Sequence, residues 1–241
     1  MAPQISSKLR VLIVVPAFNE QGKIGHVVEK IPKEICNGIV VVNDCSTDGT
    51  ATEAESAGAI LISHAVNQGV GAAIRTGIDY AIENNFDVVV VMSGDDQHDP
   101  DDLPGLLEPI HSGTHDFVQG SRRLSGLQAP SIGKFRRVMT WCYTLLFRLA
   151  TGFPSTDATN GGRAFRTRIF RNEQINLWQD WLNTYELEPY LLYMAIRCGI
   201  RTTEAPMKVI YHKKGTTKMR PFRDWWRLFR PVVFLSCGLR K

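Results

Sequence analysis

Five consecutive apolar residues, 88–92, run straight into Ser93-Gly94-Asp95-Asp96-Gln97-His98. A run that short and that uniformly apolar is a strand buried on both faces, which is the situation of a strand inside a parallel sheet. Three earlier segments, 11–15, 39–42 and 59–63, have the same character. Each is followed by a helical pattern: 22–30 ended by Pro32, a segment capped by Asp48 and stopped at Gly58, and 71–83. Strands alternating with helices of this length predict βαβ units, hence an α/β protein with a mostly parallel sheet flanked by helices. Asp99-Pro100 opens the next helix, with Asp99 as N-cap and Pro100 in the first position, and 117–119 is a short strand.

The second half is more basic and more aromatic. Helical patterns cover 134–149, 178–196 with an interruption at Pro189, and 222–230 ending or kinking at Pro231. A strand is expected at 202–212. A chain of 241 residues fits one large domain. The expected division is 1–218 as the catalytic body and 219–241 as an amphipathic helix of the same unit. The five cysteines are scattered without a C-x-x-C pair, which argues against a zinc site or a disulfide framework and for a reducing compartment. Residues 1–10 lack the apolar core of a secretion signal, and no apolar run nears the ~20 residues of a spanning helix. Any membrane contact is therefore expected to be peripheral. Net charge is only +4, but arginine and lysine crowd the chain from Arg122 onward. That asymmetry suggests an anionic partner: a phosphate, a lipid phosphate or nucleic acid.

Polar segments follow all four strands: Pro16-Ala17-Phe18-Asn19-Glu20, Asn43-Asp44-Cys45-Ser46-Thr47-Asp48-Gly49-Thr50, Asn67-Gln68-Gly69-Val70-Gly71-Ala72-Ala73 and the Asp95 cluster. In a parallel sheet they land on one edge, where open α/β sheets bind nucleotides. Carboxylate and amide oxygens there suit a divalent metal carrying a diphosphate. Their order and spacing, continued by Gly120-Ser121-Arg122, resemble the family 2 inverting glycosyltransferases of GT-A fold. Within them the chain is most similar to polyprenyl-phosphate glycosyltransferases of the dolichol-phosphate mannose synthase type, over residues 11–218.

The resemblance implies roles. Pro16, Ala17, Asn19, Glu20, Asp44, Gly69, Gly71, Ser93, Gly94 and Asp95 would surround the nucleotide-sugar donor. Asp95 and Gln97 would bind Mg²⁺ or Mn²⁺. Arg122, Arg137 and Thr140 fall where the family binds the acceptor phosphate. Asp157 and Asn160-Gly161-Gly162-Arg163 match its D-x-x-S-G-F-R element, and Lys214, Thr217 and Lys218 a phosphate-closing loop. Asp95, Gln97, Arg122, Arg163 and Lys218 thus form the expected catalytic set. Two positions depart from the pattern. Ser93 stands where the D-x-D motif begins with aspartate, removing one formal charge, and Gly162 stands where an aromatic is common.

The expected reaction moves a hexose from a nucleotide sugar to a polyprenyl phosphate at the cytoplasmic face of a membrane. An ionised phosphate acceptor needs cationic positioning more than a base. A glycan hydroxyl acceptor would instead need a carboxylate base, for which Asp157, Glu186 and Glu188 are candidates. The rival classes are a nucleotide-binding oxidoreductase built on the partial Gly69-Val70-Gly71 match and a non-catalytic binding module, which Ser93 favours. The acidic pocket and the lack of a reading motif oppose nucleic acid. Phe222, Trp226, Phe229 and Val233 form one helical stripe beside Arg220, Arg223, Arg227 and Arg230. Like 134–149, that surface suits anionic lipid, and it leaves a homodimer open. His98, His111 and His115 lack ligand spacing and read as solvated or capping.

Overall fold

The computed structural model describes residues 9–124, 134–210 and 223–240. Lys214, Thr217, Lys218, Arg220 and Phe222 lie outside them. Seven strands form one sheet in the order β3-β2-β1-β4-β6-β5-β7. They are β1 (Val11–Ala17), β2 (Gly38–Asn43), β3 (Ile60–Ser63), β4 (Val88–Val91), β5 (Phe117–Ser121), β6 (Arg163–Arg166) and β7 (Thr202–Pro206). Only β6 runs antiparallel, wedged between β4 and β5. The helices are α1 (Ile24–Lys30), α2 (Thr50–Ser56), α3 (Val70–Glu83), α4 (Leu103–His111), α5 (Lys134–Thr151), α6 (Leu187–Arg197) and α7 (Arg223–Ser236).

Strand periodicity builds two cores from the same strands. Leu12, Val14, Val40, Val42, Val89 and Val91 face one layer with buried residues of α3, α5, α6 and α7. Their neighbours Val11, Ile13, Val15, Ile39, Val41, Val88 and Val90 face α1, α2 and α4. Burial on both faces explains why these strands are apolar throughout.

Four expectations change. The strand expected at 202–212 ends at Pro206, and residues 211–212 lie outside the described ones. The Asn160-Gly161-Gly162-Arg163 element runs directly into the sheet, with Arg163 beginning β6. Its four residues pair with β4 and three of them with β5, and so short a run carries too little periodicity to announce itself. Pro189 does not interrupt a helix. It occupies the first turn of α6, where its missing N–H costs nothing, and the segment before it forms a 3₁₀ turn at Asp180–Leu182. Pro231 does not end α7, which continues to Ser236 because Pro231 and Val232 are buried against the core. Packing there overrides the lost backbone bond.

Candidate active site

The parallel order reverses between β1 and β4, so their carboxyl ends open the crevice where such sheets bind ligands. β1 outlasts β4: its ladder to β4 ends at Val14, while Pro16 and Ala17 still pair with β2. Pro16 thus sits where no β4 partner needs its missing N–H. The loops after the two strands touch. A Cβ on Gly94 would stand 3.0 Å from the Pro16 carbonyl oxygen, so only glycine lets them approach this closely.

The loop after β4 is a tight turn closed by its own polar atoms. The Ser93 hydroxyl donates to Asp95 Oδ1 at 2.6 Å, and the Gln97 N–H donates to the same oxygen at 3.1 Å. The Ser93 N–H donates to His98 Nδ1 at 3.0 Å. His98 is therefore not solvated, as its sequence context suggested. It is buried under the loop, and burial, with Arg122 and Arg163 nearby and Asp95 opposing, lowers its pKa to about 4. A neutral imidazole is what the Ser93 N–H requires. Asp96 adopts φ 59°, turning its carboxylate to within 3.6 Å of Lys30 Nζ. Asn19 and Cys45 also have positive φ, so backbone strain concentrates on this rim, as it does at functional sites.

Asn19 and Glu20 tie the β1 loop to the β2 loop. The Asn19 N–H donates to Ser46 Oγ and its side-chain oxygen accepts from the Thr47 N–H, both at 2.9 Å. The Glu20 N–H donates to Thr50 Oγ1, and its carboxylate pairs with Lys23 at 2.9 Å, raising the lysine pKa. Asp48 was expected to cap the helix; Gly49 takes the N-cap position of α2, and Asp48 just before it accepts from the Thr50 N–H at 3.0 Å.

Several residues read as donor or catalytic contacts are engaged by the protein itself. Asp44 Oδ1 accepts from the Gln68 N–H at 2.8 Å and pairs with His64 Nδ1 at 2.7 Å, while Oδ2 accepts from the Gly69 N–H at 2.7 Å. It staples β2 to the start of α3. Gly69 and Gly71 make room for protein backbone. A Cβ on Gly71 would lie 2.2 Å from the Leu182 carbonyl oxygen and 2.5 Å from that of Thr184, so α3 packs directly on that backbone. Gly71→Ala is accordingly expected to destabilise the fold by about 1–3 kcal/mol, since backbone cannot yield as a side chain can. Urea unfolding checks it; unchanged stability would mean the 182–184 loop moves freely.

Arg163 is likewise spent. Its guanidinium donates to the carbonyls of Glu188, Asn160 and Gly161 and to the Glu188 carboxylate at 3.1 Å, fully buried. It ties the 160–162 segment to the start of α6. Arg122 grips Asp157 with its Nε at 2.6 Å and Nη2 at 2.7 Å. Burial opposes ionisation of Asp157, but the Arg122 bonds prevail and hold its carboxyl below the usual range. Arg137 and Thr140 stand on the early turns of α5, where the Thr140 hydroxyl donates to the Arg137 carbonyl. No described contact joins them to Arg122.

Two functional supports escaped the sequence reading. The Glu204 carboxylate, on β7, accepts from Ser155 and from the backbone and hydroxyl of Thr156, fixing the turn that carries Asp157. Met207 fills the space over Gly120 and Gly162, where a Cβ on Gly162 would lie 2.0 Å from its sulfur. That sulfur occupies space into which a larger residue at 162 would extend.

One described oxygen suits a hard divalent cation: Asp95 Oδ2, with no hydrogen-bond partner among the described residues, while Gln97 adds an amide side chain two residues further along the same turn. Among the described residues no group of three or more His, Cys, Asp or Glu could hold a metal. Ligand oxygens must complete such a shell.

Residues 12–173, well over half the chain, match the family described as Glycosyl transferase family 2. The chain belongs to that family. An undecaprenyl-phosphate mannosyltransferase of Micrococcus luteus is 29% identical, with 88% of each chain covered. A UDP-N-acetylglucosamine–dolichyl-phosphate N-acetylglucosaminyltransferase of Methanococcus voltae is 28% identical over 90% of this chain and 94% of its own. Glucosyl-3-phosphoglycerate synthase of Mycobacterium tuberculosis, solved with Mg²⁺ and UDP, superposes with a TM-score of 0.71 at 18% identity, covering 97% of this chain and 81% of that one. The fold of this glycosyltransferase is thus GT-A, as the rim motifs implied.

Proposed function

We propose that this glycosyltransferase moves a hexose, with inversion, from a nucleoside-diphosphate sugar to a polyprenyl phosphate at the cytoplasmic surface of a membrane. The relatives named for polyprenyl- and dolichyl-phosphate substrates support the acceptor class. The observation that carries the choice between acceptors is the state of the three carboxylates that could serve as base. Asp157 is held by Arg122 at 2.6 Å, Glu188 by Arg163 at 3.1 Å, and Glu186 by Arg230 at 2.7 Å. A hydroxyl nucleophile would need one of them unpaired, whereas a phosphate monoester arrives ionised. The donor diphosphate would lie in the β1–β4 crevice, with Asn19, Glu20, Gly94 and Asp95 around it. A divalent cation bound at Asp95 and Gln97 would neutralise charge on the departing diphosphate.

The membrane side of the reading rests on α5. Its inner face buries Tyr143 and Phe147, while Phe135, Val138, Trp141, Leu145 and Leu149 form an outer apolar stripe, with Trp141 54% and Leu149 77% exposed. Arg137 and Arg148 are exposed on the same helix. An apolar stripe flanked by arginines is suited to lie in the interface of an anionic bilayer. α7 contributes less than its sequence implied. Arg230 and Arg227 face the buried Glu186, Arg223 and Arg227 face the buried Asp224, and Phe229 packs edge-on against Tyr143. Only Trp226 of the expected stripe is exposed among the described residues. Among them no helix is long and apolar enough to cross a membrane.

The test is transfer of radiolabelled sugar from UDP- and GDP-sugars to undecaprenyl or dolichyl phosphate in anionic vesicles, followed by organic extraction. Label in the organic phase is expected, and a Trp141→Glu/Leu145→Glu double variant should lose vesicle binding while keeping turnover on detergent-dispersed acceptor. Label recovered only in a water-soluble glycan would replace the lipid reading.

A further inference from the structure

We propose that Arg168 and Arg201 form a second anion-binding site, at the end of the sheet opposite the crevice, which takes a phosphate-class dianion. Four segments meet there: Asp116 just before β5, Arg201 just before β7, Arg166 at the end of β6, and the 3₁₀ turn Thr167–Arg171 that carries Arg168. The backbone fixes them, since the Asp116 N–H donates to the Arg201 carbonyl at 2.8 Å and the Arg166 N–H to the Asp116 carbonyl at 2.9 Å. All three arginines converge on one carboxylate. Arg168 Nη2 stands 2.6 Å from Asp116 Oδ1, Arg201 Nη2 2.9 Å from Oδ2, and Arg166 Nε 3.5 Å from Oδ1. Among the described residues no second carboxylate forms an ion pair with any of the three.

Asp116 cannot satisfy them all. Burial opposes its ionisation, but the Arg168 and Arg201 bonds prevail and hold its carboxyl below the usual range. Arg166 Nε is left buried without a hydrogen-bond partner. Burial lowers the Arg166 pKa, and the charges of Arg168 and Arg201 push the same way, against Asp116 and Asp87. Helix capping accounts for two of the three arginines. Arg166 donates to the Ile110 carbonyl and Arg201 to that of Gly113, each at 2.7 Å, at the end of α4. It does not account for Arg168. That guanidinium directs Nε and Nη2 to a carboxylate that Arg201 already holds, and its Nη1 has no partner among the described residues. The Arg168 and Arg201 side chains stay half exposed, at 52% and 50%. Three guanidiniums on one carboxylate leave an excess of positive charge on a corner fixed by three strand ends. Another carboxylate would offset part of it. A phosphate dianion offsets more, and its several oxygens can bridge two guanidinium forks.

Calorimetry on the full chain, with inorganic phosphate as the probe, tests the site. The unaltered protein should bind phosphate, and Arg168→Gln/Arg201→Gln should weaken that binding by about tenfold or more, the scale of losing charge-assisted hydrogen bonds. Sugar transfer measured without phosphate should stay within about twofold of the parent, because both residues lie at the opposite end of the sheet from the crevice. Arg168→Lys keeps the charge and leaves Arg166 and Arg201 on Asp116, so it remains informative if the double variant fails to fold. Loss of the fork alone should weaken phosphate binding several-fold. No phosphate binding by the unaltered protein overturns the site. So does phosphate binding that none of these substitutions weakens, since the anion then sits elsewhere. Phosphatidic acid vesicles, tested in the Trp141→Glu/Leu145→Glu background, identify the source of the phosphate. Retention that Arg168→Lys reduces and free phosphate displaces supports the site with a lipid headgroup as its ligand. Arginine-dependent phosphate binding without vesicle retention supports it with a soluble phosphorylated molecule.

Discussion

Asp157→Asn is expected to destabilise the protein by about 3–5 kcal/mol at neutral pH, the usual cost of removing one partner from a buried ion pair. Arg122 would be left with a neutral amide where it now makes two charge-assisted bonds, at 2.6 and 2.7 Å. The Arg122 N–H, which donates to Asp157 Oδ2 at 3.1 Å, would lose part of its partner as well. The pair also has a pH signature. The folded-state pKa of Asp157 is depressed, so its stabilisation is complete above the unfolded carboxyl value near 3.8 and is lost as pH falls through the folded value. Urea unfolding of both proteins should therefore show a large gap at pH 7 that narrows below about pH 4. A gap that stays constant on acidification, or one under about 1 kcal/mol at pH 7, would place the pair among solvent-screened surface bridges.

That pair also shows where sequence reading stops. The four apolar runs, the helices between them and the convergence of their loops on one rim were legible because each is a local pattern with a period. Asp95 and Gln97 were legible because they directly follow a buried strand. Arg122, Arg163 and Asp44 were recognised as important, but their partners lie 35, 25 and 20–25 residues away. Whether a charged side chain faces a ligand or a neighbour depends on those long-range pairings. Arg163 was placed in the catalytic set; its position on β6, an antiparallel strand inserted between parallel ones, turns it inward, where it donates to the Asn160 carbonyl. Gly71 shows the same limit, since the backbone it accommodates belongs to a loop more than a hundred residues later. His98 was misread for a different reason: a histidine beside carboxylates looks solvated until the turn is seen folded over it.

Asp95→Asn is expected to lower sugar transfer by about 10²–10³-fold with little change in stability, the scale of losing one electrostatic contact that strengthens in the transition state. Stability should hold because the Asn side-chain oxygen can still accept from the Ser93 hydroxyl and the Gln97 N–H, keeping the turn closed. What disappears is the carboxylate charge that Asp95 brings to the 93–98 turn, where Asp96 is turned to Lys30. With that charge gone, nucleotide affinity should also cease to respond to Mn²⁺. Steady-state transfer rates, thermal unfolding and calorimetry with and without metal separate the possibilities. Loss of rate with loss of metal response places Asp95 at the diphosphate. Loss of rate with a collapsed melting temperature would show only that the turn depends on the charge. A variant within twofold of the parent's transfer rate would remove the rim from the chemistry altogether, because no second carboxylate in that turn is free of a protein cation to replace it.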